Sequence, residues 1–135
     1  MKFSCVVVFS ILLTACVSAG QTSELTARET APVVVNTHPE SGAENVAPSL
    51  SEIRVTFSRE MMDNSWSWVQ VAPENFPKHI SNPRYLEDGK TCVVDVQLEP
   101  GKTYIIWLNT QKFRNFRDRG GNPAVPYLLT FDTRH

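Results

Sequence analysis

The sequence is poor in residues that staple, ligate or react. Cysteine occurs only at positions 5, 16 and 92, so no closely spaced pair is present for a redox or zinc motif. Histidine is equally scarce: His38, His79 and His135 stand singly, without zinc-binding spacing, and each is expected at the surface. No single sign of charge dominates. The 13 Lys and Arg against 14 Asp and Glu leave a net charge of −1, which removes any general electrostatic reason to expect nucleic acid as a partner. No phosphate-binding loop, Gly-x-Ser-x-Gly elbow or metalloprotease motif is present. The carboxylates fall at turns and outward strand positions, so neither catalysis nor a cofactor is expected. Asp118 to Asn122 has Asp and Asn around two glycines but lacks the alternating oxygen ligands of a calcium loop; turn bonds and positive φ are the expectation there.

What is plentiful is turn and strand chemistry. Nine prolines in 135 residues disfavour long helices. The stretch from Gln97 to Thr110, QLEPGKTYIIWLNT, organises the rest. Leu98-Glu99-Pro100-Gly101 is a turn, with Pro presetting φ and Gly supplying a positive φ. Thr103 to Thr110 follows as a strand, with Tyr104, Ile106 and Leu108 inward and Ile105, Trp107 and Asn109 outward. Ile53 to Ser58 alternates most cleanly. Further strands are expected over 33–37, 65–71, 85–87, 91–98 and 127–133, with a loop over 38–51 and a connection over 73–83. Cys92 alternates with Val94, Val96 and Leu98, which makes it a small buried hydrophobe. The predicted fold is all-β, a Greek-key antiparallel sandwich of about seven strands, with Tyr104 placed for a tyrosine corner.

Two ordered sets of residues carry a resemblance. The first is Pro39, Gly42, Val46, Ile53, Val55, Phe57, Ser58 and Met61 or Met62. The second is Leu98, Pro100, Gly101, Tyr104, Asp118, Gly121, Asn122, Pro123, Phe131 and Thr133. Together they resemble the bacterial Ig-like domains of the SbsA type across nearly all of 32–135. The resemblance implies an Ig-like sandwich in which Pro100, Gly101, Tyr104, Asp118 and Asn122 are structural. The stretch from Asn64 to Asp88 departs from the pattern with extra Trp, Pro and Phe.

Residues 1–15 read as an export signal: Lys2 is the charged end, and Val6 to Leu13 is an apolar segment too short to span a bilayer. Leu13-Thr14-Ala15-Cys16 resembles the lipobox of bacterial lipoproteins. That resemblance implies acylation of Cys16 and membrane attachment through it, and Val17 after the Cys is similar to the outer-membrane sorting class. Cleavage after Val17-Ser18-Ala19 is the alternative. Residues 16–31 then form the lipidated Cys and a polar tether spanning roughly 20 Å as a flexible coil, ahead of the domain at 32–135.

Two clusters could hold a partner. Trp66, Trp68 and Trp107 offer flat rings of the kind that stack on sugars and dominate interfaces. Trp66 and Trp68 cannot share an inward face with Val69 and Val71, so either aromatic surface is exposed or the strand is bulged. Between Thr110 and Pro126, Lys112, Arg114 and Arg117 alternate with Phe113 and Phe116, suited to an anionic partner or to capping the sandwich. The expected function is a lipid-anchored, non-catalytic envelope domain binding a protein or envelope component through these residues. A carbohydrate-binding module with a Trp platform is the alternative.

Overall fold

The computed structural model describes residues 30–135. The expected signal, Cys16 and most of the tether lie outside the described residues. Among the described residues the chain is all-β, with nine strands and one 3₁₀ turn. One sheet holds β1 (Val34–His38), β3 (Glu52–Phe57), β7 (Thr91–Gln97) and β5 (Lys78–His79) in that order, with β6 (Arg84–Tyr85) also pairing with β7. The other holds β2 (Ala43–Val46), β9 (Tyr127–Thr133), β8 (Thr103–Leu108) and β4 (Trp68–Gln70).

The count exceeds the expected seven because the 38–51 loop contains β2 and the 73–83 connection contains β5. Nor is the sandwich wholly antiparallel. β2 runs parallel to β9, with Ala43 opposite Phe131 and Val46 opposite Thr133. Four residues reading Ala-Glu-Asn-Val show no alternation, so only this distant pairing defines them as a strand.

Alternation explains the core. Ile53, Val55 and Phe57 of β3, Cys92, Val94 and Val96 of β7, Tyr104, Ile106 and Leu108 of β8, and Leu129 and Phe131 of β9 are all buried. Leu98-Pro100-Gly101 turns as the residues require: Gly101 has φ 64°, and a Cβ there would lie 2.5 Å from the His135 ring. The N–H of Glu99 donates to the Tyr104 hydroxyl at 2.8 Å, the expected corner bond, while the ring packs 5.3 Å from Phe131.

Asn109 corrects the outward assignment at the end of β8. It takes φ 62°, which carries its side chain off the strand alternation into the interior, where it is 0 % exposed. Asp118 and Asn122 build their turn as expected. The Asp118 carboxylate accepts the Asn122 N–H at 2.9 Å and faces Arg59 at 3.3 Å.

The outer faces of the two sheets differ. On the first, Arg54, Val93 and Arg84 lie side by side across β3, β7 and β6, and Arg84 pairs with Asp95 at 3.1 Å. On the second, Val69, Trp107 and Leu128 form an apolar row across β4, β8 and β9.

Candidate functional site

A groove of about 500 Å³ runs beside β4, lined by Trp66, Trp68, His79, Pro83 and Phe113 among others. Its walls come from three places: β4 with the segment before it, the 109–116 loop, and the 79–83 stretch. The segment before β4 is stitched to the 109–116 loop: Ser65 Oγ donates to the Asn115 carbonyl, Ser67 Oγ accepts the Asn115 N–H at 3.0 Å, and the Asn109 N–H donates to the Ser67 carbonyl at 3.1 Å. These bonds place Trp66 against the loop. Phe113 is held by Thr110, whose N–H donates to the Phe113 carbonyl at 2.8 Å and whose Oγ1 accepts the Phe113 N–H at 3.0 Å. Phe113 remains 47 % exposed, and the Lys112 ammonium sits 5.4 Å from its ring centroid. This cation–π placement puts a positive charge on the groove rim.

The interior wall is a chain of rings. Trp68 stands opposite Leu108 in the register and therefore faces the core side of its sheet. It meets Phe116 edge-on at 5.7 Å and His79 edge-on at 6.2 Å, and His79 lies 5.0 Å from Phe76. Phe116, fully buried, also packs 5.0 Å from Phe57 and plugs the sandwich end. Its burial stabilises by roughly 1.5–3 kcal/mol. The paired aromatics of the loop are thus divided, Phe116 to the core and Phe113 to the groove.

Two ring nitrogens in this wall are left without partners. Trp68 Nε1 and His79 Nε2 are buried and make no hydrogen bond. The Trp68 side chain acts on the neighbouring Cys92 thiol, yet its indole N–H forms no bond of ordinary geometry to it. Burial pushes the Cys92 thiol up to about 12, overcoming the opposing effects of Trp68 and Arg84. Burial also lowers the His79 pKa, which favours the neutral ring. His79 is therefore not the surface residue that its isolation in the chain suggests.

The structure brings some of the expected partner residues together and separates others. Trp66 and Trp68 line the groove and Lys112 stands at its rim. Both indoles are half-buried, and the expected conflict with the valines resolves because Val69 shares the outer face with Trp107, while Val71 is exposed. Trp107 is consequently on the opposite face of the sheet from Trp68. Arg114 is exposed, and its carbonyl accepts the Arg117 Nε–H at 2.9 Å, which folds Arg117 back on the loop. Gln70 joins the groove from the strand face that alternation gives it with Trp68, whereas His79, Pro83 and Asn115 join it without any signal in the local sequence. No carboxylate lines it, so it contains no acid–base pair. Among the described residues, no group of three or more His, Cys, Asp or Glu could hold a metal ion.

No curated protein matches the chain. Among the solved structures that resemble it are two of the S-layer protein SbsC. One comprises residues 31–844 (17 % identity, TM-score 0.49) and the other domains 1–6 (18 % identity, TM-score 0.49). Each match covers 78 % of this chain, and the chain spans only 14 % of each of those chains. The model of a bacterial Ig-like domain matches residues 28–133. With the two-sheet architecture and the Tyr104 corner, that match shows that the chain belongs to the bacterial Ig-like domain family.

Proposed function

We propose that this Ig-like domain is a non-catalytic interaction module of the bacterial cell envelope. It binds a protein or other envelope component through the groove beside β4, with Lys112 at the rim and Arg114 and Arg117 behind it. The observation that carries this reading is the meeting of Trp66, Trp68 and Phe113 in one open groove, since aromatic side chains dominate the energetics of interfaces. The address is supported by the apolar leader and by Leu13-Thr14-Ala15-Cys16, which resembles a lipobox; lipid on Cys16 would attach the domain to the outer membrane. Two or more acyl chains anchor firmly, because each buried methylene adds roughly 0.8 kcal/mol.

The carbohydrate alternative calls for a coplanar pair of exposed indoles. Half-buried Trp66 and Trp68, with Trp107 on the other face of the sheet, favour the interaction reading.

The test is recovery of binding partners from an envelope extract by the wild type and by Trp66→Ala, Phe113→Ala and Lys112→Glu. Trp68 is left intact because it packs on Phe116. Partners specific to the wild type should be lost with Trp66→Ala and Phe113→Ala and weakened with Lys112→Glu; equal recovery by all four overturns the groove. Attachment is read separately. Cys16→Ser should abolish acylation and membrane retention, and a variant still anchored would remove the lipid assignment.

A further inference from the structure

The groove has a property that ring surfaces alone do not give it: one wall is an unpaired strand edge. β4 is the last strand of its sheet, bonded only to β8. Because the Asn109 N–H donates to the Ser67 carbonyl and Val69 lies opposite Trp107, Ser67 and Val69 direct their backbone groups to β8. By antiparallel alternation the N–H and C=O of Trp68 and Gln70 point the other way, to the free edge. Trp68 and Gln70 are two residues apart, so these groups repeat at roughly 7 Å, the spacing at which another strand presents its own.

We propose that a partner segment in extended conformation, carrying an acidic side chain, adds to β4 as a fifth strand of this sheet. The proposal rests on the assignment of the groove as the binding site and names what fills it. Three observations select this occupant. The first is that β4 lacks the charges and prolines that blunt β2, which contains Glu44, and β5, which contains Lys78 directly after Pro77; the outer strand β1 is equally bare but has no aromatic groove beside it. The second is that rings flank the unpaired edge, so backbone bonding and pockets for alternate side chains coincide, as strand addition requires. The third is charge: no acidic residue lines the groove, while the Lys112 ammonium stands over Phe113 at its rim. A carboxylate on the incoming strand complements it.

The probe is a phage-displayed library of random peptides panned against the full chain, with Trp66→Ala as counter-target. Enriched peptides should alternate apolar residues, carry Asp or Glu, and bind more weakly as salt rises. Synthetic copies N-methylated on every second amide should lose about tenfold in affinity in one phase of the alternation and little in the other, as expected for lost backbone bonds. Gln70→Pro removes an outward N–H and spares the bonds to β8, a change that edge strands tolerate; it should weaken binding by about tenfold. If Gln70→Pro does not fold, the methylated peptides decide alone.

Failure to enrich any peptide, or insensitivity to methylation in both phases, overturns strand addition. So does an oligosaccharide array in which binding depends on Trp66 but not on the Gln70 amide, an outcome that leaves the groove standing as a glycan site. Loss of envelope partners with Trp66→Ala but not with Gln70→Pro likewise keeps the interaction module and removes the added strand.

Discussion

Asn109 holds the backbone of Phe116 at both ends: its Oδ1 accepts the Phe116 N–H at 3.0 Å and its Nδ2 donates to the Phe116 carbonyl at 2.9 Å. The same Nδ2 donates to the Ala124 carbonyl at 3.0 Å, so one buried amide ties β8 to both limbs of the following loop. Removing it leaves three backbone groups in the interior without these partners. Asn109→Ala is expected to cost roughly 3 kcal/mol or more, read as a fall in the urea midpoint. Asn109→Gly relieves the positive φ but loses the same bonds, so recovery of wild-type stability by that variant would show that backbone strain, not the amide, governs the site.

Tyr104 makes a smaller, separable contribution. Tyr104→Phe keeps the ring packed on Phe131 and deletes only the acceptor for the Glu99 N–H. The expected loss is about 1 kcal/mol, against about 3–5 kcal/mol for Tyr104→Ala, which empties the core position. Chemical denaturation of both variants checks the ratio.

Acid should destabilise the domain through Asp118. Burial alone raises its pKa, but hydrogen bonds from Asn122, the Arg59 charge and a bond from Gly120 together outweigh it, and the net shift is downward. A carboxyl with a depressed folded pKa contributes stability that is full above its unfolded value, 3.8, and is lost as the pH falls through the lower folded value. Urea midpoints measured down the acid range should decline there. Asp118→Asn should start lower and decline less, and an unchanged acid slope would remove Asp118 from the account.

Cys92 should be inert in the folded protein. It is 0 % exposed and its thiol is raised to about 12, so thiolate is scarce at neutral pH and access is closed. Alkylation mapped by peptide mass should label Cys92 only at the rate of unfolding. Fast labelling under native conditions would contradict this packing.

The strands that alternate were readable from the chain because each side chain reports its own face: Ile53, Val55 and Phe57 on β3, and Tyr104, Ile106 and Leu108 on β8. The Pro100-Gly101 turn and the Tyr104 corner were readable for a similar reason, since their bonds lie within a few residues. Asn109 was not, because its inward turn depends on a backbone dihedral and on partners 7 and 15 residues ahead. β2 was hidden by its dependence on β9, nearly ninety positions away. At the groove, Trp66 and Trp68 stood out as aromatic residues, but which face each occupied was decided by the pairing of Val69 with Trp107. His79 and Pro83 carry no local mark of their position, because only the packing of β5 beside β4 brings them there.

The parallel pairing of β2 with β9 also governs how the domain answers to tension. β2 lies near the N-terminal side of the described chain and β9 near its C-terminal side, joined by bonds such as Gly42 N–H to the Thr130 carbonyl and Arg134 N–H to the Val46 carbonyl. Tension on the two ends meets β1 first, which is held to β3; once β1 is drawn off, the pull slides β2 along β9, loading those bonds together rather than opening them one after another. That parallel pair therefore resists sliding along its length better than peeling from one end.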